Sequence, residues 1–391
     1  MFRSAVTFSF AGAFALITSV YGQHLVDLPR TLADSGTLVE PVKTGITYCE
    51  GPVVDRKGNL FFSEQNAGVV WKVTPDGSAT KWRTGINTPN GMEFDIDGYL
   101  VCCENGMITK VDTAGRVIKT MTSAASYGKI NDLSIASDGG MFFTNNSNAF
   151  WYRSPDSVIT AYNYFSGQSP NGIEYIEEKS ILYVNMSTQA RVCAFQVAAN
   201  RTVDTGSRRN FVTNVNTPDG ITVDSNYNVY VAANSAGKIN VYDSSGVLLG
   251  SITMKQDNNP SMNASNCVFG GPDDKTLYIT GDSGVFKIRL KIPGRAKPGF
   301  AGVKERERLV YHGNSTSRGG VSLPLFLPRL RPYSFNECNS RGNNSAVRIT
   351  LYDVRGAKVL GNVSTMEYAA FRNNCSGLSS GVYVVRVGTT P

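Results

Sequence analysis

Glu50-Gly51-Pro52-Val53-Val54-Asp55, followed by Gly58 and Leu60-Phe61-Phe62, reads as a β-hairpin led by one polar residue. Apolar residues alternate on either side of a turn rich in Asp and Gly, which is the pattern of two antiparallel strands. The same grammar returns at Asn90-Gly91-Met92-Glu93-Phe94-Asp95 with Leu100-Val101-Cys102, and at Asn131-Asp132-Leu133-Ser134-Ile135 with Met141-Phe142-Phe143. Three later copies are Asn171-Gly172-Ile173-Glu174-Tyr175 with Ile181-Leu182-Tyr183-Val184, Asp219-Gly220-Ile221-Thr222-Val223-Asp224 with Val229-Tyr230-Val231, and Asn266-Cys267-Val268-Phe269 with Leu277-Tyr278-Ile279. Their leading residues stand 40, 41, 40, 48 and 47 positions apart. A unit of ~45 residues with about four strand signals has the length of a propeller blade. No long segment shows helical periodicity. The repeats predict an all-β fold, a six-bladed β-propeller over residues 23–292. A strand around 38–47 is expected to join the last blade and close the ring. An open solenoid is the alternative architecture.

The leading residues are Glu50, Asn90, Asn131, Asn171, Asp219 and Asn266. The innermost strand of each propeller blade lines the central channel, so these positions are expected to converge on the axis. They comprise two carboxylates and four carboxamides, with no imidazole or thiolate. Oxygen-only donors suit a hard divalent cation, chiefly calcium, with magnesium or manganese next. Two carboxylates on one axis would repel each other without a cation. Asn-Gly and Asp-Gly are also turn formers, so repeat grammar alone is the competing explanation. Against it, the polar residue precedes the strand, whereas the turn residues come later in each unit.

Other chemistries are disfavoured by what the 391 residues contain. The two histidines are His24 and His312, and neither falls in a blade, which argues against a Ser-His-Asp triad and a histidine-ligated zinc. No phosphate loop or dinucleotide fingerprint occurs in a strand–helix context. The net charge of +7 is confined to residues 291–333, where nine Lys/Arg face two acids. A nucleic-acid binder would spread basic residues over a folded face. Here they occupy a Pro/Gly-rich stretch that reads as a solvated linker over 293–333, with a polyanion-binding segment as the alternative.

Arg3 and the apolar stretch 5–20 read as a secretory signal, residues 1–22, cleaved before Gln23. The expected location is therefore secreted: periplasmic, extracellular or attached to a surface. Seven cysteines form no dense framework. Of the adjacent Cys102 and Cys103, one is expected to fill the core, and Cys338 and Cys375 could pair in an oxidising compartment. Eight Asn-x-Ser/Thr sequons occur, those at Asn145 and Asn185 among them.

Glu50-Gly51-Pro52, Pro170-Asn171-Gly172 and Pro218-Asp219-Gly220 together resemble the senescence marker protein/gluconolactonase/luciferin-regenerating family. Phe269-Gly270-Gly271-Pro272-Asp273 followed by Thr276-Leu277-Tyr278-Ile279-Thr280 is similar to that family's last blade. The resemblance spans about residues 45–290 and implies a six-bladed propeller. It implies a lactonase whose metal is held by Glu50, Asn171 and Asp219, with Asp219 also the catalytic general base. The metal is expected to be calcium before zinc, magnesium or manganese. The resemblance implies that Asn131 contacts substrate or metal and that Lys129 helps bind substrate, and Asn90 and Asn266 are expected to bind substrate with them. Lys129 stands where the family often has Arg; it keeps the charge and loses the bidentate fork. Asn131-Asp132-Leu133 also resembles strictosidine-synthase-like propellers, a reminder that the fold hosts other chemistries.

In the tail, Val347-Arg348-Ile349-Thr350-Leu351-Tyr352-Asp353 and Gly381-Val382-Tyr383-Val384-Val385-Arg386-Val387 alternate with period 2. They are expected in a small β-sandwich-like domain, residues 334–391. That stretch resembles the C-terminal sorting domains of type IX secretion substrates, which would imply secretion machinery or the cell surface as a partner; a generic accessory module is the alternative. The function expected for the whole is a secreted, monomeric, metal-dependent hydrolase of a small-molecule sugar lactone, with no nucleic-acid partner. The competing reading is a non-catalytic binding propeller that keeps its metal for structure.

Overall fold

The computed structural model describes residues 26–297, except 105, 123–126, 164, 166 and 255–261, and four strands at 321–327, 347–353, 358–364 and 381–389. The expected signal at 1–22 and the pair Cys338 and Cys375 lie outside the described residues.

Six four-stranded antiparallel sheets follow one another along the chain, each a meander. Blade 1 covers residues 49–83, blade 2 89–120, blade 3 133–162, blade 4 170–213 and blade 5 218–253. Blade 6 takes its three inner strands from 264–289 and its outer strand from Val39–Thr44, which pairs antiparallel with Gly284–Arg289. The predicted closing strand is therefore present. Val26–Asp27 adds a fifth strand to the outer edge of blade 5. The inner strands Cys49–Val54, Pro89–Phe94, Leu133–Ile135, Pro170–Ile176, Pro218–Val223 and Ala264–Gly270 each pack against the next, and the last packs against the first. The ring is closed, and the solenoid alternative is set aside.

Each pair of neighbouring blades encloses its own apolar core. Val53, Phe61 and Val70 meet Met92, Leu100 and Cys102 between blades 1 and 2. Cys103, Val101 and Ile108 meet Phe143 and Trp151 between blades 2 and 3. Both adjacent cysteines are thus core residues on opposite faces of one strand, as period-2 alternation dictates. Phe142, Phe150 and Tyr152 meet Tyr175, Leu182 and Phe195 between blades 3 and 4, and three further clusters complete the circle. Because both faces of every sheet are covered, the first two strands of each blade are buried almost throughout.

The hairpin turns follow their chemistry. Gly58 (φ +78°) donates its N–H to the Asp55 carbonyl at 2.9 Å, and the Asp55 side chain accepts from Lys57 N at 2.8 Å. Asn185 is fully buried and Asn145 is buried, so these two sequons are closed to glycosylation in the folded chain.

The span 293–333 departs from a solvated linker at both ends. Residues 293–297 stay on the propeller: Pro293 O accepts from Ser225 N at 2.8 Å, and Arg295 N donates to Val223 O at 2.9 Å. Val321–Leu327 is a strand. It heads a separate C-terminal unit, a single antiparallel sheet in the order Val321–Leu327, Gly381–Thr389, Val347–Asp353, Lys358–Ser364. The described residues of this unit form this one sheet, and the rest of the expected domain lies outside the described residues. Pro324 is tolerated there because its strand lies at an edge.

The blade interfaces should carry the stability of the propeller. Phe142 is wholly buried, with ring centroids 4.8 Å from Tyr152 and 5.0 Å from Tyr175. Phe142→Ala is expected to cost about 3–5 kcal/mol in denaturant unfolding; a loss below about 1 kcal/mol would show that the interface repacks.

Candidate active site

The six ring residues meet at the axis, none more than 8% exposed. They do not precede their strands as the sequence pattern had indicated. In blades 1, 2, 4 and 5 the polar residue is the second residue of the strand, in blade 6 the third, and only Asn131 precedes its strand. In those five blades the pairing register slips at this point, for example between Glu50 and Val53 and between Pro218 and Ile221. A bulge turns the side chain out of the ladder and redirects it, here toward the axis.

The glycine that follows is a steric necessity. A Cβ on Gly51 (φ +49°) would lie 2.2 Å from the Asn90 carbonyl oxygen, and one on Gly220 would lie 2.0 Å from Asn266 Oδ1. Blades 1, 2, 4 and 5 thus make room for the next blade at this point. Residues of the second strand, opposite the ring, stitch the same joints. Ser63 Oγ donates to Asn90 O at 3.2 Å, Thr144 Oγ1 to Asn171 O at 2.7 Å, and Asn185 Nδ2 to Asp219 O.

Blades 3 and 6 break the polar–Gly pattern with Asp132 and Cys267, and Asp132 is the residue the sequence reading missed. It was legible as the one carboxylate in a glycine position. Its Oδ1 accepts from Leu133 N at 2.9 Å, and its Oδ2 lies 3.5 Å from Asn266 Nδ2 on the opposite blade. A Cβ on Gly91 would lie 2.4 Å from Asp132 Oδ1, so Gly91 leaves it space.

The channel therefore holds Glu50, Asp132 and Asp219. Tyr48 brings the outer two together: its hydroxyl is 3.1 Å from Glu50 Oε1 and 3.4 Å from Asp219 Oδ2. Glu50 Oε2 accepts from Gly51 N at 3.1 Å and from Asn266 Nδ2 at 3.4 Å. Asp219 accepts from Asn234 Nδ2 at 2.9 Å and is also hydrogen-bonded by the Asn171 side chain. Burial, only partly offset by these donors, lifts Glu50 to about 7. Burial and the Glu50 charge lift Asp132 to about 7, and burial with the charges of Glu50 and Asp132 raises Asp219 well above the carboxylate range. Such an oxygen-only, electron-rich and desolvated set fits a divalent cation, whose charge would favour the ionised acids. Among the described residues no three Asp, Glu, His or Cys side chains form a metal-holding group by themselves; the expected set supplies two acids, Glu50 and Asp219, and completes itself with amide oxygen. Asn90 Oδ1 is a buried acceptor with no protein donor.

Asn90 and Asn131 are tied in through their main chains, Asn131 O accepting from Gly91 N at 2.8 Å. Lys129 is exposed; its Nζ is 3.4 Å from Gln65 Oε1, and its charge acts to lower Glu50. It is the cation nearest that carboxylate in effect.

Further along the inner strands, three residues past Asn90 and Asn171, stand Glu93 and Glu174. Both are buried, and the segment 293–297 brings two cations to them. Arg295 donates to Glu174 Oε1 at 2.7 Å and to Tyr175 O at 3.0 Å; Lys297 pairs with Glu174 and lies 3.9 Å from Glu93 Oε1. Burial would raise Glu174, but the Lys297 and Arg295 charges outweigh it and hold the carboxyl below its usual value. Glu93, farther from Lys297, is lifted by burial to about 7.

Two predictions follow from these charges. The folded, metal-free chain holds protons on Glu50, Asp132 and Glu93 up to about pH 7, whereas unfolded carboxyls lose theirs near 4 to 4.5. Folded chains thus bind more protons than unfolded ones in that window, so stability must fall as pH rises. Melting in EDTA is expected at lower temperature at pH 8 than at pH 5, with calcium recovering more at pH 8; equal melting temperatures in EDTA would refute this charge assignment. Lys297→Met should cost about 3 kcal/mol by removing one of the two cations that compensate buried Glu174, measured by urea unfolding; an unchanged midpoint would mean the Lys297 pair is dispensable.

The comparisons agree with the fold. Residues 48–283 match the family model described as the SMP-30/gluconolactonase/LRE-like region. A gluconolactonase of Zymomonas mobilis is 27% identical over 308 residues, covering 67% of this chain and 84% of the relative. A gluconolactonase structure from Xanthomonas campestris superposes with a TM-score of 0.59 at 23% identity, over 69% of this chain and 95% of that one. A calcium-binding protein, regucalcin, from Agrobacterium tumefaciens superposes with a TM-score of 0.58 at 15% identity, over 68% and 97%. With a family match across the repeats, a closed six-bladed ring and lactonase relatives over most of their own length, the chain belongs to the SMP-30/gluconolactonase/LRE-like family and is a lactonase.

Proposed function

We propose that this lactonase opens a sugar lactone at the channel end where Glu50 and Asp219 meet, with a divalent cation, calcium first, held by Glu50, Asn171 and Asp219. The observation that carries the reading is the pair of buried carboxylates bracketing one phenol hydroxyl, among the carboxamides of the other ring residues. The choice of calcium draws on the regucalcin neighbour and on the oxygen-only donors. When bound, such a cation polarises the lactone carbonyl and stabilises the oxyanion that water addition creates.

The remaining work falls to the chain itself. Asp219 accepts a proton from the attacking water, and burial with the charges of Glu50 and Asp132 gives it a higher proton affinity than an ordinary carboxylate, which favours a base. The same proton then returns to the ring oxygen as the acyl–oxygen bond breaks, so acid and base roles fall to one carboxyl. Asn90, whose Oδ1 lacks a protein donor, accepts from a ring hydroxyl, with Asn131 and Asn266 completing the cradle. Lys129 meets the polar substrate at the mouth. We further propose that the enzyme works outside the cytoplasm, on the strength of the signal-like stretch 5–20.

pH-stat hydrolysis of glucono-δ-lactone tests the assignment. Asp219→Asn is expected to lower kcat by about 10²–10⁴-fold while the thermal melt still shows a folded ring, and EDTA should abolish turnover in the native enzyme. Lys129→Ala is expected to raise KM with little change in kcat. Undiminished turnover by Asp219→Asn would remove it as the base.

A further inference from the structure

Tyr48 stands one residue before the inner strand of blade 1 and is half-buried. Its hydroxyl contacts Glu50 of its own blade and Asp219 of blade 5, which are separated in the ring by blade 6. No backbone ladder joins blades 1 and 5, so this phenol is a direct side-chain bridge between two carboxylates that the sheets alone leave independent. Asp219 Oδ2 receives a second donor, Asn234 Nδ2 at 2.9 Å. Asn234 is itself placed by its own N–H on Thr217 O at 3.2 Å, at the end of the second strand of blade 5. The Asn234 donor, with the Tyr48 hydroxyl dipole 3.4 Å away on the same oxygen, restricts rotation of the Asp219 carboxyl. Two donors on Glu50 Oε2, from Gly51 and Asn266, do the same for Glu50, with Tyr48 on Oε1.

We propose that Tyr48, assisted by Asn234, is a positioning residue that locks the Glu50 and Asp219 carboxyls into a single arrangement and so raises the affinity of the channel for a divalent cation. This rests on the cation reading above. A phenol O–H has one hydrogen, so it donates to one carboxylate at a time and is a dipole to both. A cation between the acids would lower their mutual repulsion and let the hydroxyl settle on one of them. Removing the hydroxyl leaves the aromatic ring's packing and frees both carboxyls to rotate. Outer donors to metal-binding groups typically contribute 10- to 100-fold in metal affinity.

Calorimetric titration of the full chain with calcium chloride tests the proposal, in native protein, Tyr48→Phe, Asn234→Ala and the double variant. Tyr48→Phe is expected to weaken calcium binding by about 10-fold or more and to lower kcat on glucono-δ-lactone with KM nearly unchanged. The two substitutions should combine to less than the product of their separate effects, because both act on Asp219 Oδ2. Tyr48→Phe that melts lower yet binds calcium as the native chain does would show a merely structural role and overturn the proposal, as would native affinity in Asn234→Ala together with strict multiplicativity. Should the native chain itself take up no calcium, magnesium, manganese or zinc, the cation reading falls and the positioning role falls with it. Native binding with unaltered variants refutes the positioning role alone.

Discussion

Everything in this molecule depends on bringing six inner strands to one axis, because convergence forces polar groups out of water and obliges the protein to satisfy them. A closed ring of blades leaves a channel too narrow to hydrate each side chain freely. The main chain answers first. Bulges in five blades lift the ring residues off their ladders, and Ser63, Thr144 and Asn185 cap the carbonyls of the neighbouring blade. Glycine follows where the next blade's ring residue would otherwise collide with a Cβ. The polar–Gly dipeptides are thus a packing solution, and the same packing supplies oxygen donors in a desolvated space, which is where a hard cation and an ester-like carbonyl can be handled.

The two ends of the channel solve the charge problem differently. At one end Glu50, Asp132 and Asp219 lie among amides and a phenol, with no buried cation among the described residues in direct contact. Their proton affinities rise because burial penalises the charged form, and the Glu50 charge adds to this at Asp132 and, with that of Asp132, at Asp219. Farther along, Glu93 and Glu174 are met by Arg295 and Lys297, and Glu174 is held ionised. Glu174 is thus compensated by cations of the chain itself, whereas Glu50, Asp132 and Asp219 are met by neutral donors. That asymmetry separates the ion-paired carboxylate from the acids proposed to hold a cation more clearly than residue type does.

The blades, the closing strand and the ring were legible because hairpin alternation, turn chemistry and a fixed period are local and repeat six times. Glu50, Asn171 and Asp219 stood out because they break an apolar pattern at one place in each copy. Asp132 was harder: it reads as an ordinary Asx turn former, and only the absent glycine marks it. Tyr48, Asn234 and the pair Arg295 and Lys297 carried no signal, since their meaning lies in contacts with residues 171, 15, 121 and 123 positions away respectively. The basic run after residue 290 looked uniformly solvated because charge and proline content describe a segment's average and not the two side chains that turn inward.

The sequence by itself thus determined the all-β repeat, the number of blades, the residues that face the axis and the oxygen-only character of the donors, because each follows from short-range periodicity and residue chemistry. Tertiary structure alone decided which of those donors meet, how Tyr48 couples blade 1 to blade 5, and that Arg295 and Lys297 are half-buried ion-pair partners of inner-strand carboxylates. Closing a ring joins positions far apart in the chain, and the proton affinities of the buried acids depend on those joined neighbours and on burial, neither of which a linear pattern encodes.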